Sequence, residues 1–177
     1  MRNIVVFDLE TQYIAEEVGG WSNIRDMRLA VAVTYNAAMD IYRDYTEQDV
    51  DFLIATLRGA DLVVGYNLLR FDYEVLRAYT DDSLTNLPTV DMLRDLYQTL
   101  GWRPKLDNVV AATLGERKSA DGLQAVRWFR EGQLDKVMAY CHRDVEVTWQ
   151  LYRFGRHNGY VQYSDRRWRI CKVPVRW

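Results

Sequence analysis

Two acidic residues in a short apolar run constrain the fold of this chain more than any other feature. Asp8 and Glu10 follow the apolar residues 4–7 near the start of the sequence. Side chains alternate along a β-strand, so both acids lie on one face, about 6.6 Å apart. Two like charges at this distance repel, and hard divalent cations prefer clustered carboxylate oxygens. The pattern therefore predicts a metal site on a buried strand.

The same two acids are also compatible with the exposed face of an edge strand. Against that alternative, Val6 shares the face of Asp8 and Glu10. The other face of the strand carries only apolar side chains, those of Val5, Phe7 and Leu9. A strand that is apolar on both faces is typical of the interior of a sheet, so we favour the metal-site interpretation.

A tyrosine and another acid lie on a long predicted helix in the last third of the chain. An apolar stripe at helical spacing indicates this helix, and it consists of Leu134, Met138, Cys141, Val145, Trp149 and Tyr152. Tyr140 and Asp144 are four residues apart, so they lie one turn apart on the same face. Their position at the edge of the stripe predicts that they look out of a cleft beside the core.

These acids belong to a series of motifs that resembles the DEDD, or DnaQ-like, superfamily of 3′ to 5′ exonucleases, which have the ribonuclease H-like fold. The first motif of that superfamily is Asp-x-Glu after an apolar strand, and Asp8 and Glu10 match it. The second is an aspartate that opens a helix. Asp72 matches it, after a loop that contains Gly65 and Asn67.

The third motif of the superfamily distinguishes two subclasses. One has a histidine five residues before the last aspartate, and the other has a tyrosine four residues before it. Position 139 is Ala139 and position 140 is Tyr140, four residues before Asp144, so the resemblance is to the tyrosine subclass, DEDDy. The similarity runs from about residue 3 to about residue 155.

The resemblance implies an α/β fold with a five-stranded mixed sheet flanked by helices, in which an antiparallel three-strand meander is joined by two parallel strands. The hydrophobic pattern agrees with this fold. It predicts strands over residues 3–9, 29–35, 39–45, 62–64 and 89–90. It predicts a helix between Thr46 and Gly59, and further helices over residues 71–79, 92–100, 106–114, 123–130 and 134–154.

The resemblance also implies a hydrolase: a metal-dependent 3′ to 5′ exonuclease that acts on the 3′ ends of single-stranded DNA or RNA and releases 5′-mononucleotides. Its cofactors would be two divalent ions, Mg²⁺ or Mn²⁺. Asp8 would bridge the two ions, Glu10 and Asp144 would complete one site, and Asp72 would act on the second ion. Tyr140 would orient the attacking water and help to remove its proton.

Four further residues are candidates for contact with the nucleic acid: Thr11, Trp21, Asn67 and Lys118. Trp21 either stacks on a terminal base or pins its loop to the core. Asn67 is expected to tie its loop to the backbone, as asparagine does in turns. Lys118 lies in a polar loop, where it meets a phosphate or is an ordinary surface lysine. For Asp91, between a strand and a helix, we predict a capping role.

The length of 177 residues predicts one ribonuclease H-like domain, over residues 1–159, with a tail over residues 160–177 that packs on this domain or extends it. The tail has five basic residues and one acidic residue, a net charge of +4. Together with its aromatic residues, this charge is typical of a nucleic-acid surface. The alternative is a closing hairpin whose charges lie in water.

The composition indicates the cellular compartment and the kinds of partner that we expect for this protein. Two cysteines, Cys141 and Cys171, are too few for a disulfide framework or a zinc site. The first residues enter a strand directly, and no run approaches the roughly 18 apolar residues of a membrane span, so we expect a cytoplasmic protein without a membrane partner. A helicase or polymerase partner would be a separate chain. The competing function is a non-catalytic nucleic-acid-binding or accessory module of the same fold.

Overall fold

The computed structural model describes residues 2–116 and 122–177, and its centre is a five-stranded mixed sheet. The strands are β1 (Ile4–Thr11), β2 (Leu29–Asn36), β3 (Ile41–Thr46), β4 (Leu62–Gly65) and β5 (Thr89–Asp91), in the spatial order β3-β2-β1-β4-β5. The first three form an antiparallel meander, and β4 and β5 run parallel to β1. The predicted five-stranded mixed sheet is confirmed.

Six α-helices in the described residues accompany the sheet: α1 (Val50–Arg58), α2 (Asp72–Leu76), α3 (Met92–Leu100), α4 (Leu106–Leu114), α5 (Gly122–Arg130) and α6 (Leu134–Asn158). The predicted bounds of α3 and α4 are confirmed. Sequence patterns missed a 3₁₀ helix (Trp21–Met27) after β1. In the two described stretches, no helix combines the length and apolar character needed to cross a membrane.

Helix α2 is shorter than predicted, because the chain tightens into a turn after Leu76. The N–H of Ala78 donates to the carbonyl of Val75 at 3.1 Å, and the N–H of Tyr79 donates to that of Leu76 at 2.9 Å. The Tyr79 hydroxyl is then fixed by the N–H of Leu29 on β2, at 2.9 Å. A long-range contact therefore anchors the turn that follows the helix presenting Asp72.

Strand β1 is central and buried on both faces, which excludes the edge-strand alternative. Val6 belongs to the core between the sheet and α3–α6. Phe7, on the other face, belongs to the core between the sheet and α1 and α2. Asp8 and Glu10 share the face of Val6, opposite Val33 and Val31 of β2. The two acids are thus held at the side of the sheet that α6 covers.

The apolar stripe of α6 begins one turn later than predicted. Leu134 is 42% exposed, and the buried face starts at Val137. Tyr140 and Asp144 are within this buried face and are 8% and 5% exposed. Helical spacing placed them at the edge of the stripe, because that pattern treats only apolar residues as buried, whereas the structure buries both of these polar side chains.

The last residues form a hairpin of β6 (Tyr160–Ser164) and β7 (Ile170–Pro174) that packs on α4. Asn108 and Ser164 exchange two hydrogen bonds of 2.9 Å. Thr113 and Gln162 exchange two more, of 3.0 and 2.8 Å. The division of the chain at residue 159 into a domain and a tail stays a prediction.

The indole of Trp177 closes over Gly155 of α6. A Cβ atom at position 155 would lie 2.4 Å from the Trp177 Nε1, which is closer than any unstrained contact. Trp177 is itself buried, with 7% of its surface exposed. Glycine at this position therefore lets the end of the chain pack directly on the backbone of the helix that carries Asp144.

We expect Gly155→Ala to lower the free energy of unfolding by about 1–3 kcal/mol, because the added methyl group enters filled space. In an unobstructed helix the same change would raise that free energy by about 1 kcal/mol. The sign should therefore reverse in a Trp177→Ala background. Urea denaturation of the four chains measures this cycle, and an unchanged cost of Gly155→Ala in that background would contradict the contact.

Candidate metal centre

Three carboxylates from two elements converge beside the central strand. Asp8 and Glu10 of β1 and Asp144 of α6 each offer one carboxylate oxygen, and these oxygens all lie within 4.8 Å of one another. Glu10 is 8% exposed and Asp144 is 5% exposed, so water offsets little of their mutual repulsion. A carboxylate-only donor set of this kind suits a hard divalent cation.

Local backbone features aim Glu10 into this cluster. The pairing of β1 with β2 shifts register between Glu10 and Thr11, and such an irregularity bends a strand and redirects its side chains. The first residue of α5, Gly122, also faces the acid, because a Cβ atom there would lie 4.0 Å from the Glu10 Oε2. The partial positive charge at the start of a helix favours a nearby carboxylate.

Cys141 connects α6 to β1, a contact that the sequence patterns missed. Its thiol donates to the backbone carbonyl of Asp8 at 3.3 Å, and its sulfur lies 3.6 Å from the Asp8 Oδ2. Burial raises the pKa of the thiol, and the charges of the three clustered carboxylates raise it further. Cys141 therefore remains a neutral donor that fixes Asp144, three residues along the helix, against the strand.

Asp72, the first residue of α2, is only 2% exposed. Burial raises the pKa of Asp72 to about 8, and the charge of Asp91 adds to the effect, whereas hydrogen bonds from its own N–H and from that of Leu9 oppose it. Its Oδ1 has no hydrogen-bond partner within residues 2–116 and 122–177. Its hydrogen bond with the backbone of Leu9, the residue between Asp8 and Glu10, places Asp72 against β1 and outside the set of three oxygens.

Tyr140 faces the same carboxylates from one turn before Asp144. Burial raises the pKa of its phenol, and the charges of Asp144, Glu10 and Asp8 raise it further, in that order. Its ring meets that of Trp128 on α5 edge to face, with centroids 6.3 Å apart. Tyr140 is thus a neutral phenol held next to the cluster.

Two of the predicted substrate contacts lie near β1 and α2. The Thr11 hydroxyl donates to the backbone carbonyl of Tyr13 at 2.9 Å, and the residue is 5% exposed. Trp21 is 67% exposed, and its ring centroid lies 6.4 Å from that of Phe71, the residue before Asp72. Its exposure disfavours the alternative in which Trp21 pins its loop to the core.

The other two predicted contacts have different outcomes. Asn67 has a left-handed backbone conformation, with φ of 76°, and its side-chain oxygen accepts from Arg103. Its N–H donates to Asp91 at 2.9 Å, and that carboxylate also accepts from the N–H of Arg94 at 3.2 Å, which caps α3 as predicted. The expectation that the Asn67 side chain ties its loop to the backbone is wrong, because that side chain bonds to a guanidinium. Asp91 instead holds the loop before Asp72, through the N–H of Asn67. Lys118 lies outside the described residues.

Comparisons with known proteins identify a family model that matches most of this chain. A family model described as the RNase_H superfamily matches residues 5–154, a range that contains all five motif residues. Among solved structures, the chain is similar to E. coli exonuclease I in complex with a 5cy-dA13 oligonucleotide, with a TM-score of 0.45 and 14% sequence identity over 89% of this chain. It spans 41% of the length of that protein. Comparison with curated proteins gave no match.

In the presence of a metal chelator, we expect Asp72→Asn to have a higher free energy of unfolding than the wild type. The difference should grow as the pH rises through 8. The pKa of Asp72 is raised from 3.8 to about 8, so the stability linked to its protonated form is complete below pH 3.8 and is lost as the pH rises through 8. Between about pH 7 and pH 9, the wild type should lose about 1 kcal/mol relative to the variant.

Urea denaturation at each pH measures this difference, and the exposed Asp81 provides the matched control. Asp81→Asn removes the same charge from a solvated loop, so its stability should follow that of the wild type at every pH. If the Asp72→Asn curve also runs parallel to the wild-type curve across this range, the pKa of Asp72 is not raised to about 8.

Proposed function

Because this chain belongs to the RNase_H superfamily, we propose that it is a metal-dependent nuclease, and specifically a 3′ to 5′ exonuclease of the tyrosine subclass. The observation that carries this proposal is the convergence of Asp8, Glu10 and Asp144 within 4.8 Å. Nucleic acid is a substrate class that suits such a centre, since divalent cations activate water and offset the negative charge of a phosphodiester during its hydrolysis.

In this proposal the four carboxylates form two cation sites that share Asp8. Asp8, Glu10 and Asp144 would hold one cation, and Asp72 together with Asp8 would hold a second. When bound, two divalent cations lower the pKa of the attacking water and offset the charge on the phosphate and on the leaving oxygen. The buried Oδ1 of Asp72, which lacks a hydrogen-bond partner in the described parts of the chain, supports a role as a ligand.

Tyr140 positions the attacking water. The raised pKa of Tyr140 keeps its phenol neutral, because a phenolate would form beside three carboxylates. A neutral phenol can hydrogen-bond to the attacking water, but it is not the base that removes the proton of that water. The resemblance suggests both roles. Trp128 supports the orienting role, since its edge-to-face contact limits the directions in which the Tyr140 hydroxyl points.

Contacts with the terminal nucleotide fall mainly to Trp21. Its exposed ring, next to Phe71 at the start of α2, offers a stacking surface for a base. The side chains of Thr11 and Asn67 already bond to other groups of the protein. We therefore assign these two residues to support of the site, and assign no contact to Lys118.

Loss of a single cluster carboxylate should abolish degradation of a strand. With Mg²⁺ or Mn²⁺, the wild type should release a label from the 3′-terminal nucleotide first and shorten a 5′-labelled strand in steps, with 5′-mononucleotides as products. Asp8→Ala and Asp144→Ala should reduce cleavage to background, because each removes a ligand. The matched control is Asp135→Asn, on the exposed first turn of α6.

Three results would each remove part of the proposal. Undiminished cleavage by Asp144→Ala would contradict the site assignment. Fragments that arise from internal cuts would contradict the assignment as an exonuclease. Binding of strands without any metal-dependent cleavage by the wild type would favour the non-catalytic accessory module. Matched RNA and DNA strands in the same assay identify the sugar that the enzyme prefers.

Tyr140→Phe should lower kcat by about 10²-fold, the lower end of the range for groups that assist proton transfer. KM and metal affinity should stay the same, because the phenyl ring keeps the packing against Trp128 and no carboxylate is lost. The control is Tyr152→Phe, a buried tyrosine of α6 that stacks on Trp149 away from the cluster. Wild-type kcat in the Tyr140 variant would contradict the orienting role.

A further inference from the structure

A surface groove of about 750 Å³ lies between the β6–β7 hairpin and α4, and we call it the hairpin groove. Its aromatic and basic lining residues are Trp102, Tyr163, Arg166, Arg167, Trp168 and Arg169. The hairpin lies beyond residues 5–154, where the family model matches. The groove is therefore built largely from residues that the RNase_H superfamily model does not account for.

The groove is locally positive although the whole chain has a net charge of −2. Asp165 accepts hydrogen bonds from the N–H groups of Arg167 and Arg169 and pairs with the Arg169 guanidinium at 2.7 Å. This acid is thus engaged in holding the turn. The guanidinium groups of Arg166 and Arg167 are exposed and pair with no carboxylate in the part of the chain that the structure describes.

The same turn holds a large aromatic side chain in water. Trp168 is 87% exposed and has a left-handed backbone, with φ of 61°, a conformation that is uncommon for a bulky residue. Trp102 is 42% exposed and packs edge to face on Tyr163, with centroids 5.6 Å apart. The Trp168 indole therefore remains available for stacking, whereas the Trp102 ring is partly covered by Tyr163.

Helix α4 connects this groove to the metal centre. Asn108 holds the hairpin through its two hydrogen bonds with Ser164. The same helix packs on α6, which carries Tyr140 and Asp144. Helix α4 therefore contacts both the hairpin of the groove and the helix that carries these two site residues.

We propose that the hairpin groove binds the single strand on the 5′ side of the nucleotide being removed, with Arg166 and Arg167 on phosphates and Trp168 on a base. The proposal rests on the proposed function, which supplies a strand that continues from the metal centre. Positive charge interleaved with exposed rings fits single-stranded nucleic acid. An acidic protein segment would use the arginines but would give the exposed indole of Trp168 no partner.

Fluorescence anisotropy with labelled strands in a chelator tests this surface without cleavage. The probes are a trinucleotide and a strand of about 12 nucleotides, within the span of a single-strand binding site. The groove variants are Arg166→Ala with Arg167→Ala, and Trp168→Ala. The matched controls are Arg43→Ala with Arg156→Ala, both exposed on other elements, and Phe52→Ala, whose ring is 73% exposed on α1.

The double arginine variant should reduce the slope of log affinity against log salt for the long strand by about 1.4, because about 0.7 is lost for each phosphate contact to a single strand. Trp168→Ala should weaken that binding by about 10-fold or more, as expected for the loss of one stacked base. Binding of the trinucleotide and metal-dependent cleavage of it should be unchanged, and both controls should match the wild type.

Long-strand binding that is unchanged in both groove variants would overturn this inference and leave the nuclease proposal intact. Polyglutamate that competes for the groove with the same dependence on Trp168 would also overturn it, in favour of an acidic protein partner. Conversely, groove-dependent binding of the long strand by a wild type that cleaves neither strand would support the groove and refute the proposed function.

Discussion

Electrostatic repulsion among Asp8, Glu10 and Asp144 is the constraint on which the rest of the structure depends. Their oxygens lie within 4.8 Å of one another, and two unit charges at this separation repel by roughly 3 kcal/mol at an effective dielectric constant of about 20. Packing on both faces of β1 and the thiol contact of Cys141 hold the acids together. A bound divalent cation attracts all three carboxylates and outweighs their repulsion, so the cluster that destabilises the metal-free protein stabilises the metal-bound one.

Local signals made much of the fold predictable from the sequence. The bounds of α3 follow from the Asp91 side chain, which caps its start, and from Gly101, which ends it in a left-handed conformation. The turn that follows α2 was not predictable, because it is anchored by a hydrogen bond between the Tyr79 hydroxyl and the N–H of Leu29, which are 50 residues apart in sequence. Sequence patterns report what neighbouring residues prefer, and such a contact becomes possible only after the sheet has formed.

The candidate site was predictable to a similar degree and for related reasons. The spacing of Asp8 and Glu10 along a strand is enough to indicate a shared face, and the resemblance adds Asp144. The hydrogen bond from Cys141 to Asp8 spans 133 residues and leaves no local signal, so the sequence pattern predicts only a small buried hydrophobe at that position. The pKa of Asp72 depends on burial and on Asp91, which only the folded chain defines.

Anomalous diffraction from crystals soaked in Mn²⁺ tests the central claim most directly. We expect a peak between Asp8, Glu10 and Asp144, with metal–oxygen distances of about 2.1 Å, as for a small divalent cation in octahedral geometry. A second peak is expected on the side of Asp72, about 3.5–4 Å from the first. The absence of a peak at this position at saturating Mn²⁺ would contradict the account. A structure in which the Glu10 and Asp144 side chains face separate regions would also contradict it.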